Sequence, residues 1–172
     1  MIELLKKSGE IMEQKHTIGN IYNKNSKILI LGSFPSVKSR EQGFFYGHPQ
    51  NRFWKVLSAI LCEPLPKTID EKRIMLIKNS IALWDVIASC DIVGSSDSSI
   101  KNVIPNDLSI ILDTADIKAI FTNGKTSFNL YNKYILPKTN INPIYLPSSS
   151  PANAAFSVER LIDEWKIIKE YL

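Results

Sequence analysis

Lys27-Ile-Leu-Ile-Leu-Gly-Ser-Phe-Pro-Ser36 and, shortly after it, Gly43-Phe-Phe-Tyr-Gly-His-Pro-Gln-Asn-Arg-Phe-Trp54 decide how this chain folds. Ile28 to Leu31 are a continuous apolar run that stops at Gly32, the pattern of a strand buried on both faces and ended by a tight turn. Ser33, Pro35 and Ser36 follow, then a segment dense in aromatic residues, Gly, Pro and His. A helical period starts only at Arg52: Phe53, Trp54, Val56, Leu57, Ile60 and Leu61 fall at three- and four-residue spacing and form one apolar stripe. A strand, a long aromatic loop and a helix therefore place irregular chain at the C-terminal end of a strand, where open α/β sheets bind ligands.

Outward from this stretch the chain repeats the pattern. Ile81-Ala-Leu-Trp-Asp-Val-Ile87 reads as a second buried strand, Ile117 to Phe121 as a third, and Pro143 to Leu146 as a fourth. Between them the reading expects a helix capped by Asp70 with Ile74, Met75 and Ile77 buried, and another opened by Pro105-Asn-Asp107. A further helix carries Phe128, Tyr131 and Ile135, and a last one Val158, Leu161, Ile162, Trp165 and Ile168. Gly94-Ser-Ser-Asp-Ser-Ser99 is a polar loop, and residues 1–26 are expected to be an N-terminal helix or arm ahead of one domain spanning residues 1–172. Strands alternating with helices predict α/β architecture, a parallel sheet covered on both sides.

Composition narrows the function. The 172 residues suffice for a core without disulfides, and two cysteines (Cys62, Cys90) and two histidines (His16, His48) lack the spacing of a zinc or iron–sulfur site. Reduced thiols, no apolar run of membrane-span length and no export signal lead to the expectation of a cytoplasmic protein needing no metal or cofactor. The net charge of +4 is segregated: residues 15–55 hold seven bases against Glu41 alone, residues 117–158 hold four lysines and no acid, and residues 56–116 net −4. Two basic segments suit a polyanion, though they equally suit solvated faces.

Both basic segments carry a small, hydroxyl-rich loop stiffened by proline: Gly32-Ser-Phe-Pro-Ser36 and Pro147-Ser-Ser-Ser-Pro151. In a parallel sheet both lie on the same edge, where hydroxyls and free backbone N–H groups suit phosphate oxygens. Each alone also reads as an ordinary turn with serine as helix cap. Neither a P-loop nor a hydrolase nucleophile elbow is present: Ala119 stands where the first glycine of G-x-x-x-x-G-K-T belongs, and no G-x-S-x-G surrounds the serines.

These strings, with Trp84-Asp85, Thr122-Asn-Gly-Lys125 and Leu146-Pro-Ser-Ser-Ser-Pro-Ala-Asn-Ala154, resemble in order the hypoxanthine (deoxyinosine) DNA glycosylase branch of the uracil-DNA glycosylase superfamily. The resemblance implies a three-layer α/β/α sandwich around a four-stranded parallel sheet. It implies also a monofunctional glycosylase that flips a deaminated base out of double-stranded DNA and leaves an abasic site. A monomer without cofactor is expected. Uracil-excising relatives carry Asp or Asn where this chain has Phe34, or His where it has Leu146, which turns the expected substrate away from uracil. A uracil or mismatch glycosylase and a non-catalytic nucleic-acid-binding module remain the alternatives.

The site follows from the chemistry. Breaking an N-glycosidic bond needs a positioned water and donors to the departing base more than a strong nucleophile. Asn51 corresponds to the family's Asn-x-Phe-Trp asparagine and is expected to orient the water through its carbonyl; its position equally suits a helix N-cap. Ser33 and His48 are expected beside it. Hypoxanthine offers an N1–H donor next to the O6 acceptor, so Asp85 is the expected N1–H acceptor, a position that equally suits a helix cap or a surface acid; Phe34, Phe44, Phe45 and Tyr46 are the candidates to sandwich the flipped base, with some of them in the core. Pro35, Ser36, Lys38, Arg52, Asn123, Gly124, Lys125, Ser148, Ser149, Ser150 and Asn153 are the expected DNA contacts, and Pro151 to Ala154 are expected to enter the space the base vacates.

Overall fold

The computed structural model describes residues 12–172. The apolar run from Ile28 is strand β2 (Ile28–Gly32), central in a four-stranded parallel sheet with β3 (Ile81–Asp85), β6 (Ala119–Asn123) and β7 (Ile144–Leu146) in the order β3-β2-β6-β7. Strand periodicity splits its side chains between two layers. Ile28 and Ile30 enter one cluster with Phe53, Leu57, Leu76, Leu161 and Trp165; Leu29 and Leu31 enter another with Ile111, Ile120 and Tyr131. Helices α2 (Phe53–Leu61), α3 (Ile69–Lys78) and α7 (Val158–Trp165) cover the first face, and α4 (Ser109–Leu112), α5 (Lys125–Tyr134) and α6 (Leu136–Thr139) the second. This is the expected three-layer α/β/α arrangement.

A second sheet was not legible in the sequence. The expected strand over residues 81–87 is two strands: β3 ends at Asp85, and β4 (Ile87–Ile92) leaves to join β1 (Met12–Lys15) and β5 (Lys101–Pro105) in an antiparallel sheet of order β1-β4-β5. Of the expected N-terminal helix or arm, the described part is a strand and extended chain and not a helix, while residues 1–11 lie outside the described residues. Met12 pairs with Ile92 and Lys15 with Ser89, and the chain then crosses to bridge Ile21 to Leu83 at the edge of the parallel sheet. A polar strand such as Glu13-Gln14-Lys15 carries no apolar period of its own; its partner β4 supplies the order.

Three local expectations change as well. Thr68, not Asp70, caps α3: its hydroxyl accepts from Glu71 N–H while the Glu71 carboxylate accepts from Thr68 N–H, a reciprocal box. Ile74 is 63% exposed, and Met75 with Leu76 form the buried side. Pro105 closes β5 instead of opening a helix, which starts at Ser109. Among the described residues no helix is long and apolar enough to cross a membrane.

Candidate active site

Strand register builds the floor of the site. Gly32 pairs with Asp85 and Asn123 with Leu146, so the last residues of all four parallel strands form one row at their C-terminal edge. The loops that leave this row enclose a cavity of about 540 Å³. Ser33, Phe34, Pro35, Ser36, Phe45, Tyr46, His48, Asn51, Asp85, Asn123, Ser148, Ser149 and Ser150 all line it. Glycine is required at position 32, because a Cβ there would collide with Asp85 Oδ1 and stand 2.9 Å from the Tyr46 hydroxyl.

Asn51 sits just ahead of α2, and its Oδ1 accepts from Phe53 N–H (2.9 Å) and from Ser149 Oγ–H (2.9 Å). Both carbonyl lone pairs are thus in use, as the cap alternative foresaw, and Nδ2 is the amide's free hydrogen-bonding group. Ser149 is wholly buried and is itself fixed by Asn123, whose Nδ2–H donates to Ser149 Oγ (2.9 Å) and whose Oδ1 accepts from Ser149 N–H (3.0 Å). Asn123 and Ser149, expected at the DNA backbone, therefore spend these groups holding Asn51.

Arg52 changes role more fully. Its guanidinium donates to the carbonyls of Ser149 (3.3 Å), Ser150 (2.7 Å), Asn153 (3.0 Å) and Phe156, which pins the Pro147 to Asn153 loop against the start of α2. The expected phosphate ligand is a structural tie. Asn153 likewise turns inward, donating Nδ2–H to Ser148 carbonyl oxygen (3.0 Å). Ser36 caps α1 (Val37–Gln42), accepting from Ser39 N–H. Gly124, at a φ of 96°, lets α5 begin hard against Ser148. Lys38 stays exposed beside Glu41 at 3.5 Å, and Lys125 is exposed at the first residue of α5.

The aromatic residues divide. Tyr46 stacks on the buried Phe53 ring, centroids 4.0 Å apart and 14° from parallel. Its hydroxyl is buried and, although the Asn123 side chain lies near enough to pull the phenol down somewhat, makes no well-formed hydrogen bond among the described residues; burial, reinforced by the neighbouring Asp85, pushes the phenol far above its ordinary range, so it stays a neutral donor. Phe34 and Phe45 form cavity wall, whereas Phe44 lies in the core against Trp54. His48 Nδ1 accepts from Gln50 N–H at 3.1 Å, which leaves Nε2 as the proton-bearing nitrogen of the neutral ring.

Two groups escaped the sequence reading. Asp97, in a short 3-10 turn between β4 and β5, lines the cavity and accepts from Ser33 Oγ–H at 3.4 Å. Although the residue keeps much of its surface, the crowding around its carboxyl raises that group above the usual carboxylate range, with Ser33 and Thr126 hydroxyls opposing the shift. His16 follows β1, and its Nε2 meets Asp85 Oδ2 at 2.7 Å. A polar loop and a solitary histidine gave no spacing from which to find either. Among the described residues no group of three or more His, Cys, Asp or Glu side chains could hold a metal.

The C-terminal edge of a parallel α/β sheet and the loops leaving it thus bring a fixed amide, Asn51, and a buried carboxylate, Asp85, into one cavity. Residues 20–169 match the uracil DNA glycosylase superfamily, and the chain belongs to that superfamily. It is 34% identical over 150 residues to a hypoxanthine DNA glycosylase of Methanosarcina acetivorans, covering 86% of this chain and 93% of that protein. It is 38% identical over 109 residues to a hypoxanthine DNA glycosylase of Methanosarcina barkeri, covering 62% and 69%. A solution NMR structure of a candidate uracil DNA glycosylase from Methanosarcina acetivorans superposes with a TM-score of 0.77 at 33% identity, over 91% of this chain and 96% of that one.

Proposed function

We propose that this protein is a monofunctional DNA N-glycosylase, a single-domain monomer without cofactor that removes hypoxanthine from double-stranded DNA. The carrying observation is that one cavity holds both the Asn51 amide, immobilised by Phe53 and Ser149, and the Asp85 carboxylate. The two relatives named as hypoxanthine DNA glycosylases support the choice of base.

In this reading the flipped base lies with N1–H on Asp85, against Tyr46 and Phe34. Asn51 Nδ2–H holds the attacking water by its oxygen, in place of the carbonyl contact expected from sequence. The C1′–N9 bond breaks with its electron pair remaining on the purine, and the water oxygen adds to the oxocarbenium-like C1′. One water proton leaves to solvent past Ser33, and the base takes up a proton, so the products are hypoxanthine and an abasic deoxyribose. Lys38 and Lys125 contact the DNA backbone.

Labelled duplexes carrying one hypoxanthine, uracil or xanthine, treated with protein and then alkali, test the reading. Alkali-dependent scission at hypoxanthine is expected. Asn51→Ala and Asn51→Asp should both lower it by roughly 10²- to 10⁴-fold with DNA affinity retained; the aspartate keeps an oxygen for the two accepted hydrogen bonds and exchanges the N–H donors for a charged acceptor. Full activity in Asn51→Asp would return the water to an acceptor oxygen. Bound DNA with no abasic product on any lesion would replace catalysis by a binding role.

A further inference from the structure

Asp85 is a carboxylate at the floor of the cavity, 3% exposed. Neither titratable neighbour beside it in the cavity hydrogen-bonds to it: Asp97 is another acid, and Tyr46 is a buried, neutral phenol. His16 is the exception. Its side chain is 4% exposed, it packs among the rings of Phe34, Phe45 and Trp84, and its Nε2 lies 2.7 Å from Asp85 Oδ2. Backbone pairing holds it there, since β1 runs antiparallel to β4 and His16 N–H donates to the Ala88 carbonyl at 2.7 Å. The residues that match the superfamily begin at 20, so His16 is contributed by the segment ahead of them.

We propose that His16 is a specificity-determining positioning residue, which donates Nε2–H to Asp85 Oδ2 and thereby keeps Oδ1 a pure hydrogen-bond acceptor toward the base. The proposal rests on the reading of Asp85 as the base contact. Its consequence is chemical. Deamination of adenine turns N1 from an acceptor into an N–H donor and the exocyclic N–H₂ into a C=O acceptor. An ionised Asp85 accepts from that new N1–H and faces the N1 lone pair of adenine with repulsion. A protonated Asp85 carries both a donor and an acceptor, matches the adenine edge as well, and loses the distinction. The unpartnered Tyr46 hydroxyl, beside Asp85 at the Gly32 end of β2, supplies the matching donor on the carbonyl side. The pair therefore reads the deamination event itself, admitting bases with a lactam N–H and excluding amidine edges. Guanine shares the lactam edge, so this pair does not exclude it.

The test is single-turnover release from duplexes that differ only in carrying hypoxanthine or adenine at one position, with wild type, His16→Leu, His16→Gln and Asp85→Asn. Each variant is first checked by thermal melting. His16→Leu should narrow the hypoxanthine-to-adenine rate ratio by roughly ten- to a hundredfold, the range of one hydrogen bond to a charged group. His16→Gln, which keeps a donor, should hold most of the ratio. Asp85→Asn, which offers donor and acceptor together, should narrow it even if His16→Leu does not fold. A folded His16→Leu with the wild-type ratio overturns the proposal, as does an unchanged ratio in Asp85→Asn. Release of neither base by wild type is a different result: it overturns the glycosylase reading, and this inference with it.

Discussion

Under the proposed function, Asn51 is both scaffold and reagent. Its carbonyl caps the first turn of α2 and takes the Ser149 hydroxyl, so truncation removes two hydrogen bonds as well as the free amide. At about 1 kcal/mol each, those bonds make a stability loss inseparable from Asn51→Ala, whereas the aspartate separates the roles. Asp97 offers the complementary case, a side chain whose cost is electrostatic. Because its carboxyl lies above the ordinary carboxylate range when folded, the fold binds this proton more tightly than the unfolded chain. Its contribution is therefore fully favourable below the ordinary carboxylate range and is lost as pH rises through the elevated value. Chemical denaturation of Asp97→Asn against wild type should show the variant relatively more stable near neutrality, with the advantage shrinking in acid. An advantage that grows in acid would mean that Asp97 is held ionised by a partner.

At the scale of elements, the molecule is organised by where chain segments are tied rather than by the strength of each helix. Arg52 gathers four carbonyls of residues 149–156 onto the start of α2. Arg52→Met keeps the apolar stem and removes the donors, and should cost about 2–4 kcal/mol by thermal or urea melting while loosening the loop that fixes Asn51. A variant of wild-type stability with weakened DNA binding would restore the phosphate role expected from sequence. The same contrast explains what could be read in advance. The parallel strands were legible because Ile28 to Leu31 and Ala119 to Phe121 are buried on both faces, so their composition alone declares them. The antiparallel sheet was not, because β5 is largely exposed and β1 polar, and their pairing is written in β4 and not in themselves. The cavity-lining residues on the β2 and β7 loops were visible as motifs, while Asp97 and His16 arrived through that unread sheet.

For the whole molecule, charge and topology are the remaining determinants. The two basic segments frame the cavity loops, with Lys38 and Lys125 exposed near them. Affinity for a duplex bearing hypoxanthine should therefore fall with salt at a slope of about −0.9 per phosphate neutralised, and Lys125→Ala should reduce that slope by about one. A salt-independent affinity would remove DNA from consideration. Topology has its own consequence, which concerns time. β2 pairs with β6, more than ninety residues later in the chain, and Arg52 reaches Ser149 across 97 residues. Contacts so distant in sequence form slowly and cannot form at all on a partly synthesised chain. The cavity is accordingly completed late in biosynthesis: a chain that ends before β7 has the Ser33 loop and Asn51 but lacks Ser149, which holds the Asn51 carbonyl, and the carbonyls that Arg52 gathers.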